Sequence, residues 1–142
     1  MLSAFLAGTS IPLQSAVNSR LGQQLGGPLY AAFFSFLGGL LLVIAVTAAS
    51  GLGLPHQGSF AGLKWYHFTG GFYGVLIVTS VVMAAPVIGI ANTLVMIVAG
   101  QLLMSVVFDN FGWFGLPEID LSPARIAGVI LIIAGAGLVQ MR

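Results

Sequence analysis

Polar side chains recur at every fourth position along an apolar stretch near the start of the chain. Ser10, Gln14 and Asn18 have this spacing, so a helix places them on one face. Amides and hydroxyls in hydrocarbon need hydrogen-bond partners, so this face must meet other helices or a watered cavity. Pro12 frees a backbone carbonyl beside Gln14, which could serve as a ligand group. The pattern predicts either a cavity lining or hydrogen bonds that hold helices together.

A second polar face lies on a later apolar stretch. Gln101, Ser105 and Asp109 again follow one another at every fourth position, from the middle of the stretch to its end. This arrangement predicts a polar path leading inward from one membrane surface. The alternative for Asp109 is a place among lipid headgroups, where it would cap the turn formed by residues 109–112.

Composition determines the class of protein that carries these residues. Of 142 residues, 58% are apolar and 5% are charged, whereas soluble domains carry about a quarter charged residues. The chain is therefore predicted to be an all-α integral membrane protein. A net charge of +1 is too small for a nucleic-acid footprint. There is no cysteine, no metal-ligand cluster, no nucleotide-binding motif and no catalytic triad, so we predict no enzyme activity, no metal and no cofactor.

The apolar runs predict five transmembrane helices in a single domain, residues 1–142. A single helix over residues 67–108 would be about 60 Å long against a hydrocarbon core of about 30 Å, so a turn at Pro86 and Gly89 must divide it. Pro28 and Pro123 mark helix starts, because proline at the first helical position loses no hydrogen bond. The first span lacks a basic leader and is predicted to be retained. The predicted spans are about 2–19, 28–50, 67–85, 88–108 and 123–139.

The four basic residues divide evenly between the two membrane sides that these spans define. Arg20 and Arg142 fall on one side, and Lys64 and Arg125 fall on the other. Lysine and arginine bias in short loops sets membrane orientation, so an even division predicts no preferred orientation. Insertion in both orientations predicts an antiparallel homodimer, a ten-helix bundle with the inverted-repeat symmetry of many transporters. The alternative is that flanking sequence or the N-terminal amine fixes one orientation.

The last span carries small residues in place of polar ones. Ala124 and Gly128 form a small-xxx-small pair, and Gly135 continues the same seam. Small residues let helix backbones approach closely in membranes. This seam is predicted to form a dimer interface or a helix-packing surface.

Short motifs across the whole chain carry a family resemblance. In chain order they are Gln14-x-x-x-Asn18-Ser19-Arg20-Leu21-Gly22, Pro28-Leu29 with Ser35-Phe36-Leu37-Gly38, Gly70-Gly71-x-x-Gly74, Pro86-Val87-Ile88-Gly89, Gly100-Gln101-Leu102-Leu103-x-Ser105, Asp109-x-Phe111-Gly112 and Arg125-Ile126-Ala127-Gly128. The chain resembles the YdcZ-type family of small bacterial inner-membrane proteins, in the drug/metabolite transporter superfamily. The resemblance implies a multi-pass inner-membrane exporter, often of dual topology, with five spans per subunit.

The sequence and the resemblance together predict a secondary transporter that exports a small solute by alternating access. Its pathway residues would be Ser10, Gln14, Asn18, Gln101, Ser105 and Asp109. The predicted partners are the lipid bilayer, a second copy of the chain and a small solute or ion, with no nucleic acid. No acid lies on the first span, so any coupling proton would have to use Asp109. Two alternatives remain, a passive ion channel built on a dual-topology dimer and a non-transporting membrane assembly subunit.

Overall fold

A computed structural model describes residues 2–53 and 55–141 and confirms that the chain is all-helical. The described part contains α1 (Leu2–Leu25), α2 (Pro28–Ala49), α3 (Gly70–Ile88), α4 (Ile90–Phe111) and α5 (Pro123–Gln140), with short 3₁₀ turns at Gln57–Phe60, Trp65–Phe68 and Trp113–Gly115. Within these described residues, four segments are long and apolar enough to cross a membrane, namely Pro28–Ala49, Trp65–Ile88, Ile90–Phe111 and Pro123–Gln140. The first helix has the length of a span, but it is not among these four segments.

Two helices begin where their prolines predict. Pro28 and Pro123 each occupy the first residue of a helix, so the missing proline N–H removes no hydrogen bond. Ser122 also caps α5, because its hydroxyl oxygen accepts a hydrogen bond from the Arg125 backbone N–H at 3.2 Å. The local chemistry of these boundaries was therefore readable from the sequence.

The first helix is longer than the sequence analysis predicted. It continues through Arg20 to Leu25, whereas the predicted span ended at residue 19. Leucine and glutamine after Arg20 favour a helix, and the stop comes at Gly26, which has a φ of +77°. The Gly27 N–H then bonds to the Gly22 carbonyl at 2.9 Å, the 6→1 bond of a Schellman cap. Arg20 consequently lies within α1, and Arg142 lies outside the described residues.

The predicted interruption near Pro86 is present, but glycine causes it. Helix α3 passes through Pro86 and ends at Ile88, and α4 begins at Ile90. Gly89, with φ +85° and ψ 155°, supplies a conformation that residues with a Cβ rarely adopt. Asn92, in the first turn of α4, donates from its Nδ2 to the last carbonyl of α3, that of Ile88, at 2.8 Å.

The chain forms two compact units, Met1–Pro86 and Val87–Arg142. In the first unit α1 packs against α2. A Cβ built on Gly74 would lie 2.7 Å from Cζ of Phe36, so the Phe36 ring reaches the α3 backbone where a side chain would block it. This contact places α3 against α2.

The second unit is built on the packing of α4 against α5. Asp109 near the end of α4 pairs with Arg125 near the start of α5, while Gln140 at the end of α5 reaches Met96 in the second turn of α4. These two contacts make α4 and α5 antiparallel neighbours. Burial within the described part is slight, and no large side chain in it is fully buried.

Candidate functional site

The polar face of α1 is only partly covered within the first unit. Asn18 is 5% exposed, and its Nδ2 donates to the hydroxyl oxygen of Ser35 on α2 at 3.3 Å. Ser10 is exposed, and its hydroxyl donates to the Ala7 carbonyl at 2.6 Å. Gln14 is exposed as well. Of the three predicted pathway residues on α1, Asn18 alone lies in a contact between helices.

The covered face of α1 also includes residues that the sequence analysis did not select as site residues. Ser15, Asn18, Ser19 and Gly22 are buried and recur at spacings of three and four, so they form one stripe. Ser15 satisfies its hydroxyl by donating to the Ile11 carbonyl at 2.7 Å. The small size of Ser15, Ser19 and Gly22 was the available signal, because close packing selects small residues.

The second polar face lies on α4, in the second unit. Gln101 and Ser105 are exposed, and the Ser105 hydroxyl donates to the Leu102 carbonyl at 2.9 Å. Asp109 is partly covered because it forms an ion pair with Arg125. Gln101 and Ser105 therefore contact no described hydrogen-bond partner on another helix.

The Asp109–Arg125 pair joins the ends of α4 and α5. Arg125 Nη2 donates to Asp109 Oδ2, and the two side chains are 26% and 28% exposed. Arg125 Nη1 also lies 3.5 Å from the Ile119 carbonyl, and the Ile119 N–H donates to the Asp109 carbonyl at 2.8 Å. The connecting segment is thus folded back over the helix ends.

Asp109 was predicted as a pathway or headgroup residue, and Arg125 was considered only in the count of basic residues. Their pairing was not predicted. The signal was present, since opposite charges stood at the adjoining ends of two consecutive apolar stretches. The proposed turn over residues 109–112 is displaced, because α4 continues to Phe111 and ends at Gly112 in the left-handed conformation. Asp109 therefore belongs to the helix, and its carboxylate contacts arginine.

The predicted packing residues of α5 make few contacts within the single chain. Ala124 is exposed, and Gly128 and Gly135 are partly exposed. A Cβ built on either glycine meets no heavy atom within 4 Å. Gly135 borders an apolar cavity of about 370 Å³ between α4 and α5, while its neighbour Ala136 is buried. The close approach that these small residues permit is not used in the described part of the chain.

An apolar groove between α2 and α3 adds a surface of another kind. Its volume is about 590 Å³, and its lining includes Phe33, Phe36, Leu40, Gly71 and Val75. These side chains offer van der Waals contact and no hydrogen bond. In residues 2–53 and 55–141, no three His, Cys, Asp or Glu side chains gather closely enough to hold a metal ion.

Comparison with known proteins identifies the family. A family model described as "Putative inner membrane exporter, YdcZ" matches residues 1–138. The chain belongs to the YdcZ family. It is 28% identical to the inner membrane protein YdcZ of Escherichia coli strain K12 over 142 residues, which covers 98% of this chain and 94% of that protein. No solved structure matches.

Membership of the YdcZ family confirms the resemblance that the motifs indicated. Together with four described segments that are long and apolar enough to cross a membrane, it assigns this protein to the inner membrane and to a family of exporters. The family match covers both polar faces and the α4–α5 connection, so the whole described site lies within the YdcZ-type region.

Proposed function

We propose that this protein is a secondary transporter that exports a small solute by alternating access, as an antiparallel homodimer. Each subunit would cross the membrane five times, with α1 as the fifth span, giving a ten-helix inverted-repeat bundle. The pathway residues would be Ser10, Gln14, Asn18, Gln101, Ser105 and Asp109. The protein would bind no cofactor and catalyse no covalent reaction.

The exposure of Gln14 and Gln101 carries this proposal. Both amides stand uncovered in the single chain, on helices of membrane-spanning length. An amide that faces hydrocarbon without a partner is costly, so these side chains need a second subunit, water or solute beside them. A dimer with a watered interior provides all three. The dimer and the pathway are thus proposed in addition to the membership of an exporter family.

Two contacts support the proposed ends of the pathway. Asn18 is held by Ser35, which fixes one amide toward the C-terminal end of the α1 face. Asp109 is held by Arg125, so a solute that reaches Asp109 must compete with the guanidinium. An alternating-access cycle would open and close that ion pair, whereas the Asn18–Ser35 contact would persist.

The small-residue seam of α5 supports the proposed assembly. Ala124, Gly128 and Gly135 leave space beside the helix backbone, and a second helix could occupy it. In the proposed dimer this seam packs against another helix, in the same subunit or in its partner.

A membrane-topology measurement tests the proposed dimer. Two reporters, each active on only one side of the membrane and on opposite sides from each other, are fused separately to the C-terminus of the protein. Dual insertion predicts comparable activity from both reporters. Strong activity from one reporter with none from the other would rule out the antiparallel arrangement.

A flux measurement tests the proposed pathway. Thermal-shift screening of the purified protein against ions, amines, amino acids and sugars first identifies a stabilising solute. Gln14→Ala and Gln101→Ala are then expected to abolish flux of that solute into proteoliposomes, while Gln24→Ala, on an exposed part of α1, leaves it intact. Normal flux in both pathway variants would reject the assigned site, and currents resolvable from single molecules would favour a channel.

A further inference from the structure

A polar cavity in the second unit lies apart from the proposed pathway residues. Its volume is about 260 Å³, and it is lined by Val87, Ile88, Asn92 and Gln140. It therefore borders the last turn of α3, the first turn of α4 and the last turn of α5, beside the break at Gly89. A water molecule occupies about 30 Å³ of liquid, so the cavity has room for a small ligand together with several waters.

The hydrogen bonds of the two amides fix which of their atoms remain available. Asn92 Nδ2 donates to the Ile88 carbonyl at 2.8 Å. Gln140 Nε2 lies 2.9 Å from the Met96 sulfur and 3.4 Å from the Ala136 carbonyl. Carbonyl oxygen and thioether sulfur only accept hydrogen bonds, so both NH₂ groups must face these atoms.

The amide oxygens are consequently left as acceptors. Within residues 2–53 and 55–141, neither Asn92 Oδ1 nor Gln140 Oε1 receives a hydrogen bond. Each oxygen carries two lone pairs, and both residues line the same cavity. A ligand that supplies positive charge or hydrogen-bond donors would satisfy them.

The helix ends of the second unit leave the acceptor character of the cavity to the two amide oxygens. The last turn of α5 bears partial negative charge and the first turn of α4 bears partial positive charge, so these two helix ends offset each other. No carboxylate lines the cavity, and such a neutral oxygen set suits a monovalent cation better than a divalent one.

We propose that this cavity binds a small monovalent cation, either an alkali metal ion or an alkylammonium group. Asn92 Oδ1 and Gln140 Oε1 would be its side-chain ligands, with backbone carbonyls and water completing the shell. The proposal goes beyond the transport function proposed above and does not depend on it, because binding can be measured without flux and the lining contains none of the pathway residues.

Thermal unfolding of the purified full-length protein tests the proposal. Sodium chloride, potassium chloride and methylammonium chloride are each compared with N-methyl-D-glucamine chloride at equal ionic strength, so that the anion stays constant. A bound cation raises the unfolding temperature as its concentration exceeds the dissociation constant. A rise with an alkali ion identifies a metal ligand, and a rise with methylammonium identifies an amine. No rise with any of the three would overturn the proposal.

Substitutions of Gln140 assign the binding to this cavity. Gln140→Leu removes the ligand oxygen and is expected to weaken cation binding at least tenfold, while the matched Gln24→Leu on α1 leaves it unchanged. Gln140→Glu keeps the size and adds negative charge, so it should tighten binding at least tenfold even if the leucine variant folds poorly. Equal affinity in Gln140→Glu and the parent protein would place any bound cation elsewhere and reject the site.

Discussion

The close packing of α1 at Gly22 leads to a quantitative prediction about stability. A Cβ built on Gly22 would overlap Cγ1 of Val82 on α3, and it would lie 3.5 Å from the Gly27 carbonyl oxygen and 3.6 Å from the Ala31 Cβ. Valine is stiff about χ1, so its methyl group cannot swing away easily. Gly22→Ala should therefore force the helices apart and destabilise the first unit.

The expected magnitude follows from two opposing terms. Overpacking a tight contact costs about 1–3 kcal/mol, and replacing glycine by alanine inside a helix gains up to about 1 kcal/mol. Gly8→Ala on the same helix isolates the second term, because a Cβ on Gly8 meets nothing within 4 Å. Gly22→Ala should thus be less stable than Gly8→Ala by about 1–3 kcal/mol.

Reversible unfolding in mixed detergent micelles measures this difference, with Trp65 and Trp113 as fluorescent probes and far-UV circular dichroism as a second signal. Val82→Ala alone should cost about 1–2 kcal/mol, on the scale of buried methyl deletions. Combined with Gly22→Ala, it removes the overlapping methyl, so the double variant should be at least about 1 kcal/mol more stable than additivity predicts. Equal unfolding free energies of Gly22→Ala and Gly8→Ala would refute the proposed packing. It would also be refuted if the losses of Gly22→Ala and Val82→Ala simply added in the double variant.

Three further predictions concern individual contacts. Asn18→Ala should lower the unfolding free energy by about 0.6–2 kcal/mol. Adding Ser35→Ala should cost little more, because the single and the double variant lose the same hydrogen bond. Additive losses of unfolding free energy would show that the two residues act separately. Asp109→Asn should cost about 0.2–1 kcal/mol at low salt and less at high salt, and the loss should disappear in an Arg125→Gln background, as a double-mutant cycle measures. Gly89→Ala should cost about 1–3 kcal/mol in chemical unfolding because of the strained backbone at φ +85°, and an unchanged midpoint would contradict that conformation.

The helix starts were predictable where proline determines them. Proline starts α2 and α5 because its ring suits the first helical position. The ends of α1 and α4 lie beyond the predicted residues 19 and 108, at Gly26 and Gly112 in left-handed conformations. The break between α3 and α4 was predicted at Pro86 and Gly89. Helix α3 continues through Pro86, and the break lies at Gly89, whose φ of +85° is outside the helical region.

The candidate site was only partly predictable for a related reason. Periodicity places Ser10, Gln14 and Asn18 on one side of a helix, but it does not say which neighbouring helix covers that side. The buried stripe of α1 is rotated toward Ser15 and Ser19 because Gly22 allows close approach there. The Asp109–Arg125 pair depends on the path of the α4–α5 connection, which sequence periodicity does not describe.

The ion pair that closes the α4–α5 hairpin also bears on how these two helices would enter a membrane. Asp109 and Arg125 compensate each other's charges at the adjoining helix ends, so the hairpin presents a pair instead of a lone carboxylate next to the hydrocarbon. Ionisable groups near the hydrocarbon are costly and are accommodated by pairing with one another. Helices α4 and α5 are therefore suited to insert together, with their charges already matched at the connected ends.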